Sequence, residues 1–183
     1  MSSGVGGRAE VAALRVLAHP VRLQILSLLT GSAMSAAEVA RELDLTHANS
    51  SYHLRLLVAA GQLVEAGEES IRGGRAKRFR YDVERPAEPA PDAATAARYY
   101  QAMAAELLRR STRRREVGGR GTGSDAELWV DPDTWSSVVD QISIAIRDLH
   151  RAAVPIRTSD AVHVSVTTAL FEMGESVRQG DTA

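Results

Sequence analysis

Apolar positions recur at helical spacing from Val11 through Leu14 and Leu17, after nine small and polar residues that read as a disordered tail. Pro20, whose missing N–H costs little in a first turn, opens a second helix. Leu23, Ile25, Leu26 and Leu29 give it a broad apolar face, and Gly31 reads as its stop. Ser35, with Glu38 three residues on, forms a capping box for a short helix that buries Val39 and Leu43. Thr46 caps the next helix, which runs to about Ala60 and stops at Gly61.

Two short strands are predicted at 63–65 and 77–83, joined by a long loop whose glycine-rich tip is Arg72, Gly73, Gly74 and Arg75. Pro86, Pro89 and Pro91 mark a stiff linker. A helix over 93–116 follows, with Ala96, Tyr100, Met103 and Leu107 at helical spacing, and then a flexible loop at 118–123. The last third reads strand, helix, strand. Residues 127–130 form the first strand. Asp131 caps a helix with Pro132 at its first position and an apolar stripe of Trp135, Val138, Val139, Ile142, Ile146 and Leu149. Val162, Val164 and Val166 alternate with His163, Ser165 and Thr167, as in a half-buried strand. No internal repeat is visible.

The pattern divides the chain into a tail (1–9), a DNA-binding domain (10–85), a linker (86–92), a C-terminal region for dimerisation or effector binding (93–174) and a second tail (175–183). The fold class is mainly α with small β. It is a winged helix-turn-helix domain, then a long dimerisation helix, then a small strand-helix-strand unit.

Composition narrows the class. Of 183 residues, 44% are hydrophobic and 25% charged, a globular balance. No apolar run is long enough for a membrane span, and the first ten residues lack the pattern of a signal peptide. The absence of cysteine excludes disulfides and thiolate metal sites. A soluble cytoplasmic protein is expected. The net charge is −1, yet acidic side chains outnumber basic ones only beyond residue 120. Local patches set the field that a phosphate backbone meets, so the acidic last third is expected to lie away from a duplex.

The candidate chemistry lies between Ser35 and Tyr81. Two capped helices joined by a tight turn meet the requirement of a helix-turn-helix. On the second helix Ser50, Leu54 and Leu57 face inward, while Ala48, Tyr52 and Arg55 project outward with Asn49 and Ser51 on the shoulders. His47 and His53 lie nearer the core edge. Asn49 can offer a donor and an acceptor to adenine, and Ser51 can bond to several bases or to phosphate. Tyr52 and His53 suit phosphate, as do Thr46 and the free amides at the helix start. Ser35 and Thr46 would be caps in any protein, and together with His47 they are also candidate DNA contacts. In the hairpin, Arg72, Arg75, Lys77, Arg78 and Arg80 occur without an intervening acidic side chain, as phosphate or minor-groove contact requires.

The runs "LAHPVRLQILSLL" (17–29), "SAAEVARELDLTHANSSYHLRLLVAAGQLVE" (35–65) and "GGRAKRFRYDV" (73–83) resemble the ArsR-type winged helix family of bacterial regulators, as a long C-terminal variant. Ser51, His53 and Leu54 take the Ser, His and Leu places of the family's recognition-helix signature. The resemblance implies a homodimeric repressor whose DNA affinity an effector or partner changes. Two departures stand out. Ser50 occupies a place where the family more often buries Val, which implies looser packing. The metal sensors' Cys-x-Cys pair is also absent, so no thiolate site is expected.

Other features point less far. Tyr99, Tyr100, Met103, Leu107, Trp129 and Trp135 are candidates for dimer packing or for lining a small-molecule effector site. His47 and His53 are six apart and point to different helix faces, and His150 and His163 with Asp148 and Asp160 lack ligand spacing, so no metal is expected. The arginines at 109, 110 and 113–115 suit either flanking phosphates or a solvated helix end. No cofactor loop or nucleophile–base pair is present, so no cofactor and no enzyme activity are expected. The expected partners are double-stranded DNA, a second copy of the chain and a candidate effector, with no membrane. The rival reading is a winged helix that docks a partner protein.

Overall fold

The structure, a computed structural model, describes residues 15–71, 74–84, 92–115 and 119–174. The tails, the linker at 86–91 and the hairpin tip at Arg72 and Gly73 lie outside the described residues. Helical residues 15–17 lead into α1 (Pro20–Gly31), β1 (Met34–Ser35), α2 (Ala36–Leu43), α3 (His47–Ala59), β2 (Leu63–Ile71) and β3 (Gly74–Tyr81). Two longer helices follow, α4 (Ala93–Ser111) and α5 (Pro132–Arg151).

Local chemistry accounts for most boundaries. The imidazole of His19 caps α1 by accepting from the Val21 amide, with Pro20 in the first turn. Ser35 and Glu38 satisfy each other's amides in a complete capping box on α2. Asp44 ends α2 in the left-handed conformation, and Thr46 caps α3 by accepting from the Asn49 amide. Gly61, at φ 66°, turns the chain from α3 into the sheet. Asp92 and Asp131 cap α4 and α5 in the same way.

The core of the N-terminal domain is Leu17, Ile25, Leu29, Met34, Val39, Leu54, Leu57, Leu63 and Phe79. Three helices supply most of it, and an antiparallel sheet in the order β1-β3-β2 closes one side. β1 pairs Met34 with Phe79 and Ser35 with Arg78. This two-residue strand was not legible as a strand, because its only partner lies more than forty residues downstream. Together these elements form a winged helix-turn-helix domain.

The hairpin is longer and tighter than the sequence predicts. β2 runs to Ile71, with an irregularity between Glu65 and Glu68 where Gly67 takes φ 101°. Residues 66–70 show no apolar alternation because that arm stands largely in solvent with no face to bury, and backbone pairing alone defines it.

α4 packs on α1 through buried Thr95, Ala102 and Glu106. Gln24 donates to Glu106 at 2.6 Å, and Arg109 grips the same carboxylate at 2.7 Å. Burial works to raise the Glu106 carboxyl, but the bonds from Arg109 and Gln24 and the charges of Arg109 and Arg110 hold it below the usual range. α4 ends at Ser111 rather than at 116, since no apolar residue between Leu108 and Arg115 gives the helix anything further to bury.

The expected strand-helix-strand unit is corrected to a helix between irregular segments. Neither 127–130 nor 162–167 forms a strand. Alternation makes a strand sterically suitable, but a strand also needs a neighbour's N–H and C=O groups. Among the described residues the only sheet is the wing's, and it does not reach them. Val162, Val164 and Val166 share an uncovered side, at 77%, 57% and 39% exposure. The stripe on α5 is only half-covered, and no α5 side chain is fully buried.

Beyond α5 the chain returns to the N-terminal domain. The Val154 carbonyl lies where a Cβ on Gly31 would be, 2.2 Å away. Gly31 is thus the last residue of α1, and its missing side chain makes room for this crossing. Arg157 then grips Glu42 of α2 with two bonds of 3.0 and 2.9 Å. Arg151 holds Glu84 in the same bidentate way.

Candidate nucleic-acid interface

α3 is amphipathic in the sense a recognition helix requires. Ser50, His53, Leu54 and Leu57 are buried, while His47, Ala48, Asn49, Tyr52 and Arg55 are exposed and Ser51 is intermediate. Ser50 does not loosen the packing. Its fully buried hydroxyl donates to the Ala36 carbonyl at 2.9 Å and ties α3 to the first turn of α2. A polar residue is stable there because its hydrogen bond is made inside the fold. The outer face therefore rests on a fixed support. Arg55 lies along the helix, with Nε donating to the Ser51 carbonyl at 3.3 Å.

His53 is turned inward, 6% exposed, against the rings of His19 and Tyr52 at 5.1 and 5.5 Å. Burial, followed by the charges of His19 and Arg22, lowers its pKa, so the ring is held neutral. His47 is exposed and on another face. Ser35 is 7% exposed and occupied with Glu38. Among the described residues no group of His, Asp and Glu could hold a metal ion.

The wing's cations are not isolated. Arg75 pairs with Glu68 at 2.7 Å and Lys77 with Glu65 at 2.8 Å. Arg78 is enclosed by Glu38, Glu69 and the Ala33 carbonyl. β3 alone shows a cationic run, but Glu65, Glu68 and Glu69 of β2 lie beside it once the register is known. Magnitudes separate the three cations. Exposed pairs such as Arg75–Glu68 contribute about 0–1 kcal/mol, so a phosphate can replace the glutamate at small cost. Arg78 is only 26% exposed and joins wing, capping box and loop, so it is a structural tie rather than a free contact.

The aromatic candidates of the C-terminal region do not converge on one site. Tyr99 packs on the N-terminal core, and Tyr100 lies against Phe171 at 5.2 Å. The Trp135 indole donates to Glu172 at 3.1 Å, whereas Trp129 is 90% exposed and Leu107 49% exposed. Met103 is intermediate. An open groove of about 330 Å³ lies elsewhere, between the end of β3 and α5, lined by Tyr81, Ile142, Ile146, His150 and Leu170.

Sequence reasoning also missed His19, whose ring packs against His53 of α3, and Arg22, one turn further along α1, whose charge acts on His53. They lie within the Leu-Ala-His-Pro-Val-Arg run, which showed a helix start but gave no sign of what the side chains face. No helix among the described residues is long and apolar enough to cross a membrane. No curated protein matches the chain. Residues 17–65 match a family model described as a helix-turn-helix domain, and the chain thus carries a domain of the kind found in DNA-binding regulators.

Proposed function

We propose that the protein is a sequence-specific DNA-binding transcription regulator, a homodimeric repressor of ArsR type without a thiolate metal site. The observation that carries this is the outer face of α3. Asn49, Tyr52 and Arg55 stand exposed on a helix whose opposite face is fully buried and whose start is capped. Asn49 and Arg55 have the donors and acceptors to read base edges, and Tyr52 and Thr46 suit phosphates. Arg75 and Lys77 add replaceable cations beside that face.

Homodimerisation is supported by where apolar surface remains. Among the described residues, and apart from Tyr52, the exposed large hydrophobic side chains all lie between Leu107 and Met173. Such a concentration suits a partner surface. Two copies joined there would present two α3 helices to successive major grooves about 34 Å apart. Occupied promoter DNA would exclude polymerase, so repression is the default outcome. A small-molecule effector could act through the groove between β3 and α5, provided that it binds the two dimer geometries unequally.

The pairing of Arg75, Lys77 and Arg78 with carboxylates favours a second reading, a winged helix that docks a partner protein. Selection of bound fragments from genomic DNA, followed by mobility shifts with Asn49→Ala and Arg55→Ala, separates the two. Specific binding lost in these variants supports the regulator. Failure of the folded wild-type protein to bind any fragment in dilute salt supports the docking module.

A further inference from the structure

We infer that the start of α1, where Arg22 and His19 meet Tyr52 and His53 of α3, is a seat for one phosphate group of a DNA backbone. The inference rests on the DNA-binding reading and adds a contact outside the recognition helix and the wing.

Arg22 is the first observation. Its Nε is shielded from solvent and has no hydrogen-bond partner among the described residues. Four of the other arginines pair with carboxylates: Arg78 with Glu38, Arg109 with Glu106, Arg151 with Glu84 and Arg157 with Glu42. No described carboxylate stands beside Arg22. Burial weighs against its charge. A guanidinium shielded on one side and without a partner in the free protein keeps its terminal nitrogens free to make charge-assisted bonds when an anion arrives.

The imidazoles are the second observation. His53 is more than nine-tenths buried, and its Nδ1 is likewise shielded and unpartnered. The ring of His19 lies 5.1 Å away. Because His19 Nδ1 accepts from the Val21 amide, its proton sits on Nε2 and can be donated. Burial and the charge of Arg22 depress both imidazoles. The group is therefore a set of donors and positive charge with no anion in it, at the positive end of the α1 dipole. The α1 amides add little, since those of Val21, Arg22 and Leu23 are already bonded to His19.

Placement decides the ligand. Tyr52 is 51% exposed and belongs to the same outer face as Asn49 and Arg55. A duplex lying against α3 carries its backbone past Tyr52, and Arg22 follows one helical turn after His19, whose ring packs on His53 beside Tyr52. With Nε shielded, the terminal guanidinium nitrogens and the Tyr52 hydroxyl are the groups that meet a phosphate oxygen. A contact of this kind fixes register and carries no sequence information.

The test measures affinity against salt concentration for a 30-base-pair random-sequence duplex and for a selected genomic fragment. Arg22→Gln should weaken both by a similar factor, on the order of tenfold. It should lower the slope of log affinity against log salt by about 0.9 per protomer on the duplex. Arg22→Lys should keep the slope, and Tyr52→Phe should lose affinity without changing it. If Arg22→Gln does not fold, Arg22→Lys and Tyr52→Phe still decide the matter, because two variants with wild-type affinity exclude the seat. An unchanged slope in folded Arg22→Gln, with wild-type binding intact, overturns the seat and leaves the regulator reading standing. Loss confined to the selected fragment means that Arg22 reads a base, which also overturns it. No DNA binding by the wild-type protein overturns both.

Discussion

Gly31→Ala tests how firmly the C-terminal segment is attached to the DNA-binding domain. The new Cβ would lie 2.2 Å from the Val154 carbonyl oxygen and 2.9 Å from its carbon, where ordinary contact begins at 3.4 Å. Backbone stands on both sides, so no rotamer change relieves the overlap, and the segment must move by about 1 Å or more. The magnitudes say that it detaches. Alanine in place of glycine at a helix end gains up to about 1 kcal/mol. Release of Arg157 from φ 61° returns about another 1 kcal/mol. On the other side, the Arg157–Glu42 pair stands in solvent, with Arg157 75% exposed, and adds little. Val154 and Ile156 are 48% and 36% exposed, so their contacts together are worth about 2–3 kcal/mol. The net cost is about 1 kcal/mol, or roughly 2–4 °C in Tm for a chain of this size. Hydrogen exchange at 153–158 should rise well before exchange in α1 or α3 does. Unchanged protection at 153–158 would refute the crossing itself. A fall in Tm of about 10 °C or more would show that the segment unfolds together with the core.

Three further outcomes are expected. Ser50→Ala should cost about 1 kcal/mol in urea unfolding for the lost bond to Ala36, and Ser50→Val more, about 1–3 kcal/mol, because the site has no room for added methyls; a valine variant more stable than wild type would contradict the packing described. Arg78→Ala should destabilise by about 1.5–3 kcal/mol, whereas Arg75→Ala should stay within about 0.5 kcal/mol and act only on DNA affinity; equal melting temperatures for the two would refute the distinction. Glu106 has a folded pKa below its ordinary value of 4.5, so its contribution is complete above the unfolded pKa and is lost as pH falls through the folded one. Glu106→Gln should therefore flatten the loss of stability below about pH 4.5, measured by urea unfolding, and a parallel pH profile would count against the buried Gln24–Glu106–Arg109 group.

The helices and their ends were legible in the sequence because their causes are local. A Ser-x-x-Glu box, a Thr cap, a left-handed Gly61 and a Pro in a first turn each act over a few residues. So was the division of α3 into a buried side and an exposed side, since helical spacing alone sorts Leu54 and Leu57 from Tyr52 and Arg55. The site was legible to the same extent, as a polar helix face beside a basic hairpin.

What the sequence could not determine depends on neighbours distant along the chain. β1 exists because Phe79 and Arg78 lie beside it, and 162–167 is not a strand because no other strand pairs with it, although its alternation is the cleaner of the two. The wing's charge reversed its meaning once β2 brought three glutamates next to β3. His53 was read at the core edge as a candidate phosphate donor, and packing against the His19 ring makes it an interior side chain. Helix signals are carried by bonds four residues long, whereas strands, ion pairs and desolvated side chains are defined by whatever the fold places within a few ångströms. That placement is decided only when the whole chain has packed.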